Sequence, residues 1–411
     1  MQMRYFMVHF SKKITIYLIS SIFFIFTLNA TSSFSGFTGL KINYSANSID
    51  SEYNPDLTLQ AFFAGQFNFS DNVWVRTEFS LNTGDFISEN IFKGTTSLFQ
   101  IDEVSLNFRG NFEKSINYFS IFLGTFEPIG SDVFLQRYFG IKPIASKITE
   151  SWLGLSGSIL YPQRGFGISD TLKFINKPIA INISAYINQD ENKNLVYNTD
   201  FRFSSNYRYF TFDALCGIGL PFGNKYQDDN YIFVIEKLYW HAGTNILLGN
   251  EYTQSLFIQA GIFNASFTGR NNFNWAKKNI YLLFEPRFNI GNLNFDIALY
   301  NIPEENIVEL QHVDDVLGIN VNIYSENVKI KNNSFTIGVH TNVGLKNKTI
   351  FDAKEFSSIK SDDISINLTG YTKAKFLSGE LQFMAKIKAL EIANGNPGNV
   401  FSCGIGYRTK I

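Results

Sequence analysis

Residues Leu57 to Phe69 read L-T-L-Q-A-F-F-A-G-Q-F-N-F. Leu57, Leu59, Ala61, Phe63, Gly65, Phe67 and Phe69 share one face. Thr58, Gln60, Ala64, Gln66 and Asn68 share the other, with Phe62 as the exception. A period of two over this length predicts a β-strand with one apolar and one polar face. The stretch is longer than an ordinary globular strand and long enough to cross a bilayer when tilted. The next segment repeats it: Val73, Val75, Thr77, Phe79 and Leu81 face one way, and Trp74, Arg76, Glu78, Ser80 and Asn82 the other. Charges alternating with apolar side chains suit a wall with lipid outside and water inside.

Working outward, the same alternation recurs. It appears at Leu256, Ile258, Ala260 and Ile262, and at Ile280, Leu282, Phe284, Pro286, Phe288 and Ile290. It returns at Phe335, Ile337, Val339, Val343 and Leu345, and at Leu381, Phe383, Ala385 and Ile387. The chain carries 43 Phe and 20 Tyr, yet its mean hydropathy is near zero. A soluble sandwich or propeller is the plainer alternative, but a lipid-facing wall explains abundant Phe beside abundant Asn, Ser and Thr. Net charge is −1, which gives no electrostatic argument for nucleic acid. Phosphate-binding glycine motifs and zinc-type Cys/His spacings are absent, so no cofactor or metal is expected.

The first thirty-five residues form a different object. Arg4, Lys12 and Lys13 precede an apolar run from Ile14 to Leu28, then the small residues Ala30-Thr31-Ser32-Ser33. This predicts a secretory signal peptide over 1–35, cleaved after Ala30 or Ser35. An uncleaved anchor is the alternative, although the run is shorter than the roughly 20 residues of a spanning helix. No cysteine lies near the cleavage points, which excludes a lipid-modified N-terminus. An exported chain that alternates throughout 36–411, with no further long apolar run, points to a closed barrel in the bacterial outer membrane.

Connections alternate in length. Short ones include Ser70-Asp71-Asn72, Gly110 to Ser115, Pro162 to Gly165, Gly249-Asn250-Glu251, Gly291-Asn292 and Ser378-Gly379, all of hairpin composition. Long ones include 83–97, 127–150, 220–237, 268–278, 302–314 and 347–362. Such barrels have short periplasmic turns and longer external loops. Alternating segments number nineteen. Counting 166–187 as one bent crossing, interrupted at Lys177-Pro178, gives an even eighteen; sixteen is the next count. The first strand is expected near Phe37 to Ser45, and Val400 to Ile411 closes against it.

Two segments resemble bacterial outer-membrane porins. Ile101-Asp102-Glu103-Val104-Ser105-Leu106-Asn107-Phe108 is similar to an acidic-led strand of 16- and 18-stranded porins. Phe122-Leu123-Gly124-Thr125-Phe126-Glu127-Pro128-Ile129-Gly130 is similar to the strand after it, whose leucine-glycine step leads into a proline-glycine loop. Thr125 stands where that pattern often has Arg, and Ile411 where a terminal aromatic is usual. The texture, rich in Phe, Asn, Ile and Lys, also resembles spirochaete outer-membrane proteins.

The resemblance implies passive diffusion of small hydrophilic solutes and ions, without enzyme activity. A surface-exposed adhesin-like or structural barrel without conductance is the alternative, and a barrel for apolar solutes is a third. Expected partners are outer-membrane lipid, the barrel-assembly machinery during insertion and small hydrophilic solutes; a homotrimer stays open. The expected pore-lining charges are Arg76, Glu78, Glu103, Arg109, Asp200, Arg202, Glu285, Arg287, Asp296, Lys386 and Lys388. Facing lipid each would cost up to about 2–4 kcal/mol at the midplane. Facing water they either select ions or pair across strands. The resemblance also implies that one long loop folds inward, and 127–150 is the candidate constriction, carrying Asp132, Arg137, Lys142 and Lys147. Its basic residues would favour anions; an ordinary surface loop is the alternative. Cys216 and Cys403 lie on separated strands of the apolar face, which argues against a disulfide. His340 and Asn342 share a polar face, as in membrane-embedded hydrolases, but no nearby serine completes a nucleophilic set.

Overall fold

A computed structural model describes residues 33–49, 52–86, 98–150, 152, 164–189, 194–222, 237–250, 254–268, 272–307, 310–330, 333–346, 348–360, 363–393 and 400–411. The expected leader up to residue 32 lies outside them. The described chain is a wall of antiparallel strands. β1 (Ser33–Ile49) and β2 (Glu52–Ser70) are followed by β3 (Val73–Asn82), β4 (Leu98–Asn111), β5 (Ser115–Thr125) and β6 (Arg164–Phe174). Next come β7 (Ile179–Gln189), β8 (Leu195–Tyr207), β9 (Phe210–Pro221), β10 (Lys237–Gly249) and β11 (Ser255–Thr268). After the three-residue β12 (Asn272–Asn274) come β13 (Ile280–Ile290), β14 (Leu293–Asn301), β15 (Leu317–Ile330) and β16 (Asn333–Leu345). β17 (Ile364–Phe376), β18 (Gly379–Lys388) and β19 (Phe401–Lys410) complete the wall.

Each strand pairs with its sequence neighbours, except that β12 pairs with β11 alone and β11 passes directly to β13. β19 returns to β1 over Phe37↔Lys410 to Ser45↔Ser402, so eighteen strands close the barrel. Gly36 and Ile411 lock the seam with reciprocal backbone hydrogen bonds of 2.9 and 3.1 Å. Closure leaves no unpaired edge, the only way a sheet satisfies its backbone inside lipid. No helix among the described residues is long and apolar enough to cross a membrane.

The barrel reaches eighteen strands by a different route from the expected one. Residues 166–187 are not a bent crossing: they belong to two full strands, β6 and β7, paired from Phe166↔Ile187 to Lys173↔Ala180. Lys177-Pro178 sits in the turn between them, where a residue without an N–H costs no ladder bond. Pro162 to Gly165 is likewise no hairpin between wall strands. Arg164 and Gly165 open β6, which pairs directly with β5, while 153–163 lie outside the described residues. The connection from β5 to β6 is therefore one long insertion. The end strands run beyond their expected bounds at β1 and close to them at β19.

None of the eight connections at one end exceeds five residues; the opposite end carries all the long ones. These are called the turn end and the loop end. The outer surface presents Phe34, Leu40, Phe99, Leu123, Ile168, Phe201, Phe284 and Ile405. One aromatic row crosses β1 to β4, with Phe34–Phe63, Phe63–Phe79 and Phe79–Phe99 centroids 6.0–6.4 Å apart. Cys216 and Cys403 are free thiols, in keeping with their separation in strand order. The inner face carries the charges. Leu57–Phe69 lies within β2, and its exception, Phe62, points inward with Ala64 against Trp152 of the long insertion.

Candidate functional site

The insertion leaves β5 at Phe126 and folds into the lumen. A short helix, α1 (Val133–Phe139), ends at Gly140, whose φ of 66° supplies the left-handed cap. Asp132 organises the chain on the far side of this helix. Its carboxylate accepts hydrogen bonds from the amides of Ile144 (2.6 Å) and Ala145 (2.9 Å), and from Gln136 Nε2 (2.7 Å). A single 3₁₀ turn, Lys147–Thr149, is capped by Ser146.

One side of this loop makes an apolar core with the barrel. Ile129, Leu135, Ile144 and Ile148 pack on Leu215, Leu247, Phe257, Tyr281, Leu283, Ala298 and Tyr300. These wall residues lie on β9, β10, β11, β13 and β14, at inner-face positions where a water-filled lumen would call for polar groups. Gly243 and Gly261 make the room. A Cβ on Gly243 would collide with Ile129 and the Tyr281 hydroxyl, and one on Gly261 with the same phenol.

Polar anchors fix the seat. Arg202 is 2% exposed; its guanidinium donates to the carbonyls of Glu127 (3.0 Å) and Pro128 (3.2 Å) and lies 3.3 Å from Asp213. The same group stands 4.9 Å over the Phe134 ring. Gln259 donates to Gly130 O and Asn245 to Ser131 O, each at 2.8 Å. Arg287 donates to Ile144 O (2.9 Å) and to Glu285 (2.7 Å), and Ser146 donates to Glu285. These carbonyls of the insertion are thereby answered by wall side chains, as buried backbone requires.

The charges expected in the pore fall into three groups. Arg202, Glu285 and Arg287 hold the insertion. Glu103 joins them by pairing with Arg137 of α1, which also lies 3.6 Å from Glu127 and over Phe126. Asp200 belongs to a wall network, accepting from Tyr186 and meeting His241 at 2.9 Å. Arg76 donates to Gln66 (2.9 Å), Glu78 is buried opposite Glu103, and Arg109 bonds Asn111 near the turn end. The third group meets the inserted segments or lines space beside them. Asp296 lies 3.9 Å from Lys147, Lys386 pairs with Asp314, and Lys388 lines a loop-end cavity of about 250 Å³ with Asp314 and Asp315. Of the four loop residues, Asp132 and Arg137 are thus engaged inside the fold. Lys142 is exposed, and Lys147 sits 3.1 Å over the Tyr324 ring. Burial holds Lys147 down to about 8, against the pull of Asp296.

A second segment also dips inward. His312 of the 302–316 connection stacks on His340 of β16, with centroids 3.8 Å apart, beside Tyr371. His340 Nδ1 contacts Asn320 at 2.9 Å. Groups the sequence reading passed over include Lys41, Glu150, Trp152, Lys373 and Arg408. Lys373 lies 3.7 Å from Glu150, and Lys41 5.9 Å from the Trp152 ring. Period two alone puts Lys41 and Arg408 on inner faces; no local signal announces Trp152.

No protein-family model matches the chain, and no curated protein does either. Solved structures that match include a mutant of the Rh. blastica porin, at 8% identity and a TM-score of 0.40 over 93% of this chain and all of that one. The outer membrane protein OpdK of Pseudomonas aeruginosa matches at 8% identity and a TM-score of 0.46, over 92% of this chain and 98% of that one. Salmonella typhi OmpF, solved with daunomycin, matches at 11% identity and a TM-score of 0.38, over 92% and 97%. The fold stands on the wall itself. Eighteen antiparallel strands, closed, apolar outside and charged inside, make a bacterial outer-membrane β-barrel of porin type.

Proposed function

We propose that this barrel is a passive channel for small hydrophilic solutes, with a preference for anions. One observation carries the reading. The inner faces of β17, β18, β19 and β1 bear Lys373, Lys375, Lys386, Lys388, Arg408, Lys410 and Lys41. Glu380 is their single acidic companion among the described residues. The register spreads these cations from Lys388 at the loop end to Lys410 at the turn end. Lys375, Lys388, Arg408 and Lys410 keep exposed surface and Lys41 and Lys386 are covered by the inserted segments; on the lipid face such charges would be expelled. A solute moving past them meets positive potential at nearly every level, and Glu150 and Asp314 face the wall from the inserted segments. The loop's own Arg137 is engaged with Glu103 and Glu127, so this reading assigns ion preference to the wall.

The test is a planar bilayer with the purified barrel. Stepwise conductance and an anion-selective reversal potential in a salt gradient are expected. The selectivity should shrink at 1 M salt, where screening lengths fall to about 3 Å. Exchanging Lys373 and Lys375 for Glu should move the reversal potential toward cations. Absence of conductance steps would refute the channel reading and favour a surface barrel. Deleting residues 131–147 should raise conductance; an unchanged value would refute the loop's part in narrowing the passage.

A further inference from the structure

One carboxylate stands on the lipid side of the wall. Along β6, Ser169 and Thr171 are buried on the inner face, while Phe166, Ile168 and Asp170 are exposed on the outer one. Asp170 pairs with Phe119 of β5 and Ile183 of β7. Among the described residues it is the one outward charge on a rung paired to both neighbouring strands. Arg164, the other outward charge of β6, is its first residue, at the loop end. Asp170 lies three rungs above the last β6–β7 pair, Lys173↔Ala180. At about 3.3 Å per residue and a tilt of about 40°, that is roughly 7–8 Å of height. Leu172 and Phe174 share its face toward the turn, and Ile168 and Phe166 toward the loops. The carboxylate is therefore set within the apolar band, where a charge is destabilising and lipid offers no hydrogen-bond partner. An ionisable group held at such a place marks a contact to be made.

Asn117 of β5 is the other half of the feature. It stands diagonally across the pair, and its Nδ2 donates to Asp170 Oδ1 at 2.6 Å. That bond does not exhaust either group, since a carboxylate accepts several donors and an amide has a second N–H. Apolar side chains surround the two. Phe108 and Phe119 meet with ring centroids 6.3 Å apart, and Ile168 and Ile183 are about half exposed. A polar pair inside an apolar patch is the composition of a membrane-embedded protein contact, where hydrogen bonds join surfaces that lipid alone would not hold together.

The chemistry of the pair selects the partner. A neighbouring copy has no outward cation on such a rung to offer Asp170, but it does offer Asn117. A two-fold axis along the membrane normal places each patch against itself, so each Asn117 donates to the other copy's Asp170. A three-fold ring joins unlike patches and turns Asp170 toward a surface without that amide. We infer that the outer face of β5 and β6 is a lateral docking surface for a second copy of this chain, closed as a two-fold dimer by reciprocal Asn117–Asp170 hydrogen bonds. This requires the wall alone and is independent of whether the lumen conducts.

The experiment is sedimentation equilibrium of the full-length folded barrel in a density-matched neutral detergent, with reductant to keep Cys216 and Cys403 as thiols. A monomer–dimer equilibrium is expected. Asp170→Leu should weaken association by about tenfold or more, through the two lost bonds. Its monomer should melt no lower than the parent, because leucine suits lipid. Asn117→Asp should also weaken association, since carboxylates then face one another. Combining Asn117→Asp with Asp170→Asn restores one donor and one acceptor per copy and should recover the dimer. Heat-modifiable gel mobility reports that each variant is folded. A parent that stays monomeric up to about 100 µM, a trimer, or a dimer indifferent to Asp170→Leu would each overturn the surface. So would an exchanged pair that associates no better than Asn117→Asp. An Asp170→Leu monomer melting below the parent would assign the pair to the wall itself and overturn the surface too.

Discussion

Arg202 is the side chain on which the inserted loop turns, and Arg202→Met tests this directly. The substitution keeps an unbranched apolar stem and removes the guanidinium. Two hydrogen bonds from a charged donor to Glu127 O and Pro128 O disappear. Such bonds contribute about 1.5–3 kcal/mol each. Asp213 is left with Ser204 and Asn245 but without its cation, and breaking one side of a buried pair costs about 3–5 kcal/mol. The part that falls on loop seating is the first, about 3–6 kcal/mol, or roughly 10²–10⁴ in the ratio of seated to unseated loop. Trypsin reads that ratio, since Arg137, Lys142 and Lys147 lie within the insertion. When opening is fast relative to cleavage, the nicking rate follows the open population. Nicking should therefore rise about a hundredfold or more, while the barrel keeps its heat-modifiable mobility. Arg202→Lys should fall between, because a point charge cannot serve two carbonyls and stack on Phe134 in one plane. A folded Arg202→Met barrel nicked no faster than the parent would refute the anchoring argument.

Gly243→Val should unseat the same loop without touching any charge. The new side chain meets Ile129 and the Tyr281 hydroxyl, an overpacking cost of about 1–3 kcal/mol, visible as faster nicking with unchanged ion preference. Raising pH should act through Lys147. Its pKa is about 8 in the folded protein against 10.5 unfolded, so the unfolded state holds more protons between those values. Loop seating should therefore strengthen as pH rises from 8 to 10.5, and the anion-selective reversal potential should fall over pH 7–9. Lys147→Gln should abolish the seating trend, while the wall lysines keep part of the trend in the reversal potential. N-terminal sequencing of the mature protein should find cleavage after Ala30 rather than Ser35. Ser33 to Ser35 already pair with Asn68 to Gln66, and Phe34 packs on Phe67 at 4.6 Å, contacts that the later cut would discard.

The wall was legible in the sequence because lipid and water impose opposite demands on alternate residues. Leu57–Phe69, 73–82 and 280–290 obey that demand nearly without exception, and so their faces follow from parity. The exceptions carried the information that was harder to read. Phe62, Leu247 and Leu283 break the polar face because the insertion, not water, covers them. A single break looks like noise in a linear reading; its meaning appears only when Trp152 or Ile148 is brought alongside. Lys177-Pro178 misled for a related reason. Proline interrupts a ladder wherever it stands, and only pairing distinguishes a bend within one crossing from a turn between two. The anchoring pairs were out of reach altogether. Arg202 and Glu127 are separated by 75 residues, and nothing local says that one answers the other's carbonyl.

The glycines under the insertion divide the inner wall into two materials. From Leu215 through Tyr300 the wall behaves like the inside of a soluble enzyme, where one methylene too many or too few is felt and a charge such as Glu285 or Arg287 stands only with a partner. Around Lys375, Lys388, Arg408 and Lys410 it behaves more like a surface, where side chains differ in sign and length at little cost, although Lys41 and Lys386 between them are buried. A complete substitution scan should show this as two arcs of opposite tolerance around one ring. Natural variation can therefore rewrite what the barrel admits on the permissive arc without ever disturbing the arc that keeps its loop in place.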